Sequence, residues 1–268
     1  GKDPLEIRKL NLYKKGRDTT PYHQTVEQHI LIDMIAQLEE SGDYWARKEA
    51  IKAFNVSSPI IKKGLAMTPV KYGISFTVQH LNQAGALVHV YSDGSIHLNH
   101  GGTEMGQGLN TKIAQIVAHG FGVDFNAVSI SATRTDKVPN TSPTAASSGT
   151  DLNGMAALNA VNTIKERLID FITEHFEVDS NTVVFKDNLI TFSKGEISFS
   201  ELANLAYMNR ISLSSTGYYA TPKIHYDRAK GEGRPFFYYA HGVALSEVEV
   251  DTLTGENTVT RVDILHDV

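Results

Sequence analysis

His100–Gly122 reads HGGTEMGQGLNTKIAQIVAHGFG. Gly101, Gly102, Gly106 and Gly108 surround Thr103-Glu104-Met105 and Gln107. Apolar residues then recur at Leu109, Ile113, Ile116 and Val117, one face of a helix over 108–121. Gly120 and Gly122 read as its stop signals. A glycine-rich turn feeding a helix start is expected to leave backbone N–H groups free at the positive end of the helix dipole. That suits an anion, or a ring with many acceptors. The stretch is not a P-loop, because no Gly-Lys-Ser/Thr follows in the required place. Nor is it the dinucleotide fingerprint, which needs G-x-G-x-x-G after a strand and an acidic residue about twenty positions on. On these residues a structural turn and a ligand loop both stay open.

Upstream, KYGISFTVQHLNQAGALVHVYSDGSIHLNH (71–100) predicts strand, break at Asn82–Gly85, strand, turn at Ser92-Asp93-Gly94, strand. Phe76 and Thr77 sit side by side at a strand end, an aromatic face beside a hydroxyl that suits a flat heteroaromatic ring. Core packing is the ordinary fate of such a Phe. Residues 1–60 read as mainly helical. Ile30, Ile32, Met34, Ile35 and Leu38 form one helical face, and DYWARKEAIKAF (43–54) is a second helix with Trp45 and Phe54 as core anchors.

Downstream, NAVSISAT (126–133) is a strand. VPNTSPTAASSGTDLNG (138–154) is a second small-residue loop running into a helix, with Thr150 or Asp151 as its N-cap. That helix carries Leu152, Met155, Ile164, Leu168, Phe171 and Ile172 at helical spacing. NTVVFKDNLITF (181–192) is a hairpin, and Ser198 with Glu201 forms a capping box. Long strands follow over RISLSSTGYYA, FFYYAHGVALSEVEVD and the last residues. Helices and strands mix without strict βαβ alternation, so the class is α+β, mixed sheets with packed helices. The division expected is a mainly helical segment, 1–60, and an α+β region, 61–268. Two small-residue loops leading into helices could converge on one polyanionic or heteroaromatic ligand.

The chain of 268 residues carries 25 Lys and Arg against 30 Asp and Glu, a formal charge of −5. No dominant basic field is left for nucleic acid. Cysteine is absent, which excludes disulfides, a catalytic thiol and cysteine-ligated clusters within this chain. A disulfide-free chain without a long apolar run fits the cytoplasm and no membrane span. The histidines form no ligand constellation: His97 and His100 lie three apart in a strand-like segment, on opposite faces. Glu247 and Glu249 share a strand face and could do acid–base work; a plain strand face is the commoner meaning. No G-x-S-x-G elbow is present. The first and last stretches read as a piece of a longer polypeptide, continuing beyond both ends.

Together GISFTVQHLNQAGALVHVYSDGSIHLNHGGTEMGQGLNTKIAQ, PNTSPTAASSGTDLNGMAA, STGYYATP and HGVALSEVEVDTLTGE resemble the molybdenum-binding part of the xanthine dehydrogenase family, in the family's order across nearly the whole chain. The resemblance implies the α+β molybdenum cofactor-binding domain of the xanthine oxidase family and a molybdenum–molybdopterin cofactor held by loops. It implies that Gly106 and Gln107 hydrogen-bond the pterin. Thr144, Ala146, Ser147 and Thr150 would line the cofactor, with the Ala146 backbone close to the metal. Phe76 and Thr77 would stack on and hydrogen-bond a purine. The implied reaction hydroxylates hypoxanthine or xanthine towards urate. Electrons would leave through two [2Fe–2S] clusters and FAD, on other domains or chains, to NAD⁺. The family's general-base glutamate is expected beyond Val268 and its substrate arginine before Gly1, so this piece is expected to hold no catalytic residue and to be inactive alone. An aldehyde oxidase-type enzyme and a non-catalytic binding or assembly domain are the alternative readings. A piece of this kind is also expected to expose apolar surface and to associate, as homo-oligomer or heteromer, with an iron–sulfur/FAD partner.

Overall fold

The structure is a computed structural model that describes residues 1–137 and 140–267. In chain order its elements are α1 (Pro4–Leu10), α2 (Leu31–Ser41), α3 (Tyr44–Ser57), β1 (Ile61–Ile74), β2 (Gln83–Val90), β3 (Ile96–His100), α4 (Leu109–Phe121), β4 (Val128–Ile130), α5 (Gly149–Phe176), β5 (Val184–Lys186), β6 (Leu189–Phe192), β7 (Gly195–Ser198), α6 (Phe199–Met208), β8 (Ser214–Ala220), β9 (His225–Asp227), β10 (Glu232–Arg234), β11 (Tyr238–Asp251) and β12 (Asn257–His266). Parallel and antiparallel pairs occur in one sheet and helices pack on it, which is the expected mixed α+β class.

The chain forms two compact units, one from residues 1–74 with 225–268 and one from residues 75–224. In the first, β1, β11 and β12 make an antiparallel sheet in that order. β1 is an edge strand, which accommodates the missing N–H of Pro69. Met67, Val243 and Leu245 point to one face, where Leu5 of α1 and Met34, Ile35 and Leu38 of α2 cover them. Arg47 of α3 ties two strands, donating to Glu247 at 2.9 Å and to Asp263 at 3.0 Å. Alternate positions face the other way, and there Val70, Tyr72, Tyr238, Val262 and Ile264 are exposed. Trp45 is also exposed, against expectation. Its neighbour Tyr44 takes the buried position and Trp45 donates its indole N–H to Glu39. Ile32 lies outside the α2 core stripe for the same reason of phase.

The second unit positions the loops. Its four-stranded sheet runs β4-β3-β2-β8, with β3 parallel to β4 and the other pairs antiparallel. Ala84, Ala86, Val88 and Val90 alternate along β2 towards the core, as a half-buried strand requires. Gly85 lies inside β2, paired with Tyr218, so the expected break ends at Asn82 instead. α5 lies on this sheet and buries Ala156, Ala157, Ala160 and Val161. Met155 falls on its exposed side. The approach is close enough that a Cβ at Gly217 of β8 would fall on the Ala156 carbonyl and 2.6 Å from the Ala160 nitrogen. α4 packs beside α5, where a Cβ at Gly120 would lie 2.8 Å from Val161, and one at Gly154 would lie 2.6 Å from Ile116. Gly120 is therefore a packing residue within α4. Only Gly122, left-handed at φ 67°, ends the helix. The Ser198–Glu201 capping box starts α6 as expected. The β5–β6 hairpin turns on Asp187 and Asn188, both at positive φ.

Gly217→Ala is expected to lower stability by about 1–3 kcal/mol through overpacking against the α5 backbone. Urea denaturation followed by far-UV circular dichroism measures it; an unchanged midpoint would mean that β8 and α5 have room to part.

Candidate functional site

Gly106 and Gly108 adopt φ 95° and 76°, with open space where a Cβ would stand. Backbone conformation, not crowding, requires glycine there. Gly108 is the N-cap of α4 and offers no side chain to its N–H groups. Glu104 supplies the missing acceptor. Its Oε1 accepts from the N–H of Gly106 at 2.8 Å and of Gly108 at 3.1 Å, and its Oε2 from that of Asn110 at 2.9 Å. These bonds, Asn110's first, hold the Glu104 carboxyl below the usual carboxylate range. Gln107 closes the rest of the turn: its Oε1 accepts from Met105 N–H at 2.6 Å and its Nε2 donates to the Thr103 carbonyl at 2.9 Å. The expectation of free N–H groups at this helix start is thus corrected. The protein's own carboxylate already occupies the positive end of α4.

The second loop ends two or three residues earlier than expected. α5 begins at Gly149, with Ser148 at the N-cap and no side-chain cap bond, in place of Thr150 or Asp151. Ala146 and Ser147 precede it in the left-handed region, at φ 57° and 54°. Neither residue type favours that region, and each such residue costs roughly 1 kcal/mol. Ser148 is buried and donates its hydroxyl to the Ala145 carbonyl at 3.2 Å. Val138 and Pro139, at the start of the expected loop, lie outside the described residues.

The two loops meet. Thr103 donates its backbone N–H to Thr144 Oγ1 at 2.8 Å. A Cβ at Gly101 would collide with Thr141, one at Gly102 would lie 2.5 Å from Leu109, and one at Gly149 would lie 3.4 Å from Leu109 and 3.6 Å from Thr144. Glycines on both segments therefore make room for Leu109, Thr141 and Thr144 at the contact. Three buried polar atoms in these segments and the helix start behind them have no partner of good geometry among the described residues: His100 Nε2, Thr141 Oγ1 and Asn153 Oδ1. His100 accepts Gly102 N–H on Nδ1 at 3.1 Å. Burial pushes its pKa down, against the nearby Asn110 side chain and Glu104 carboxylate. With Nδ1 accepting, Nε2 is the ring's donor position.

Phe76 and Thr77 lie in a turn after β1, Phe76 half-buried and Thr77 exposed. Asn82 makes this turn. Its Oδ1 accepts from Phe76 N–H at 2.7 Å, and its Nδ2 donates to the carbonyls of Phe76 at 2.9 Å and Val78 at 3.2 Å. The next residue, Gln83, accepts from the Ser142 hydroxyl at 3.1 Å, so the Phe76 turn and the second loop both abut the start of β2. Glu104, Asn82, His100 and Asn153 are the residues that motif reading missed. Glu104 carries a legible signal, an acid just upstream of an N-cap glycine. The side-chain clasp of Asn82 carries none. Glu247 and Glu249 are not a free carboxylate pair: Arg47 holds one and Lys63 the other, at 2.9 and 2.8 Å.

The fold, including its four-stranded mixed sheet under two helices, is shared with solved structures of other proteins. Quinoline 2-oxidoreductase from Pseudomonas putida 86 superposes with TM-score 0.80 at 21% identity, covering 98% of this chain and 34% of that one. The Cu,Mo-CO dehydrogenase superposes equally well, TM-score 0.80 at 18% identity, over 98% of this chain and 34% of its own. The chain belongs to the molybdopterin cofactor-binding domain family, which it matches over residues 37–268. It is 45% identical to xanthine dehydrogenase of Dictyostelium discoideum and 46% identical to xanthine dehydrogenase/oxidase of Gallus gallus, in both cases over 100% of its length. It spans 18% of the length of each. No described helix is long and apolar enough to cross a membrane.

Because the Glu104 carboxyl is depressed by its N–H partners, the turn is held above the ordinary carboxylate pKa and released as pH falls through the lower, folded value. The protection of the Gly106, Gly108 and Asn110 amides, relative to their intrinsic exchange rate at each pH, is expected to fall only at acid pH below that range; loss of protection already near pH 6 would contradict it. Ala146→Gly is expected to leave stability unchanged or raise it by up to about 1 kcal/mol, by relieving left-handed strain. A fall in the urea midpoint would show that the alanine is not strained.

Proposed function

We propose that this chain supplies the pterin-facing loops and part of the substrate pocket of a molybdenum hydroxylase that oxidises hypoxanthine and xanthine to urate. The observation that carries the reading is the Thr103–Thr144 bond, which joins the two family loops at adjacent helix starts. The residues present fit a molybdopterin group. Hydroxyls of Thr144, Ser147 and Thr150, the Gln107 amide and the positive-φ backbone of Ala146 offer donors and acceptors around a contact at which glycines bring the two segments together. The unpartnered polar atoms behind them suit a polyfunctional polar neighbour.

In this proposal Gly106 hydrogen-bonds the pterin through its carbonyl, its N–H staying with Glu104, and Gln107 through its amide, while Thr144, Ala146, Ser147 and Thr150 line the cofactor with the Ala146 backbone nearest the metal. When bound, the cofactor supplies the two-electron oxidation. The chain orients: Phe76 stacks on the purine and Thr77, exposed at the same turn, hydrogen-bonds it. Residues 61–268 belong to a cofactor-binding region that continues beyond both ends, and the general-base carboxylate comes from the continuation. [2Fe–2S] clusters, FAD and an NAD⁺ acceptor reside on other domains or chains, in a cytoplasmic assembly. The isolated chain is inactive.

The longer protein should contain molybdenum and pterin and oxidise xanthine in preference to aldehydes, while residues 1–268 alone turn over neither. Phe76→Ala should raise KM for xanthine about tenfold, the worth of one base–aromatic stack, with kcat less affected. Aldehyde turnover that ignores Phe76→Ala would favour an aldehyde oxidase-type enzyme. A longer protein without molybdenum would leave a binding or assembly domain.

A further inference from the structure

Two side chains hold the 103–108 turn, and they hold different parts of it. Glu104 bonds the N–H groups of Gly106, Gly108 and Asn110, that is, the left-handed glycines and the first turn of α4. Gln107 bonds only Met105 N–H and the Thr103 carbonyl. No backbone group is shared between the two sets. Both side chains lie at the surface, so exchanging Gln107 for an incoming group buries nothing new in the core.

We infer that Glu104 is a positioning residue that keeps the turn in shape while Gln107 acts as an exchangeable latch, releasing its own amide and the Met105 N–H together to a ligand. This rests on the cofactor reading above. A carboxylate suits the fixed part, because charge-assisted bonds to N–H groups are stronger than those of a neutral amide. An amide suits the released part. Its oxygen and nitrogen trade one donor and one acceptor of the backbone for one donor and one acceptor of a pterin-like ring edge; the freed Met105 N–H turns to the ligand, and the carbonyl of the exposed Thr103 turns to water. The same carboxylate excludes negative charge from the α4 amino end. An anionic portion of the ligand must then be received elsewhere.

Amide exchange by NMR on the chain tests the fixed part, and molybdenum and pterin content of the longer protein tests its purpose. Glu104→Ala should speed exchange at Gly106, Gly108 and Asn110 about tenfold or more, the scale of losing a bond to a charged acceptor, and should lower cofactor content. Glu104→Gln should restore protection at Gly106 and Gly108, recover cofactor content in part, and leave Asn110 fast, since an amide nitrogen replaces the second oxygen. Gln107→Ala should leave those three amides protected, expose Met105, and still lower cofactor content. The inference is overturned if Glu104→Ala leaves the three amides unchanged, if Gln107→Ala deprotects them equally, or if Glu104→Ala frees them while cofactor content stays at wild type. Wild-type longer protein without molybdenum and pterin would overturn the cofactor reading and the latch's ligand, and the amide measurements would still report whether Glu104 holds the turn.

Discussion

The close approach of α5 to the sheet and to α4 is the constraint on which the site depends. It exists because side chains are missing where the backbones meet: Gly217 beneath Ala156 and Ala160, Gly120 against Val161, Gly154 against Ile116. Interiors are packed like crystals, so one added carbon at these contacts must displace a helix. With α5 and α4 fixed side by side, their amino ends lie next to each other, and the loops entering them have to touch. The bond from Thr103 to Thr144 is then the outcome of helix packing, not an isolated loop preference. Small residues in the core and small residues in the loops serve one geometry at two depths.

The loops themselves are close to self-sufficient. Glu104 and Gln107 satisfy five backbone groups of the first turn, and Asn82 satisfies the turn that carries Phe76. Under the proposed function, such side-chain clasps would hold the turns in shape before a ligand arrives, which lowers the ordering cost of association. The second loop differs. Three of its residues, Asn140, Ala146 and Ser147, are left-handed, the last two in a conformation their types resist, and its helix starts without a side-chain cap. Strain held at a prospective ligand contact is a recurring feature of clamps.

Much of the fold was legible because it obeys short-range rules. Gly122 stops α4, Ser198 and Glu201 start α6, and alternation along β2 picks out its buried face. The family resemblance rested on the same two loops that the structure ties together. What could not be read were choices between neighbours and contacts across the chain. Tyr44 or Trp45 could have filled the core, and only the phase of α3 against the sheet decides. The α5 cap moved to Ser148 because the left-handed pair before it ends the loop early. Gly85 looked like a break because a strand glycine is uncommon, yet it pairs with Tyr218 inside the sheet. Glu104 carries its signal in the sequence, but that its carboxylate folds back onto the α4 amino end depends on the left-handed glycines of the turn.

The pairing of β1 with β11 has a consequence for synthesis. Lys71 pairs with His241, across the whole of the second unit. Ribosomes add about 5–20 residues per second, so β1 waits roughly 10–30 s for its partner. The inserted unit is contiguous in sequence and can complete itself first. Through that interval a long nascent strand has no ladder, and its lysines at 62, 63 and 71 and its proline at 69 act as gatekeepers that discourage wrong partners.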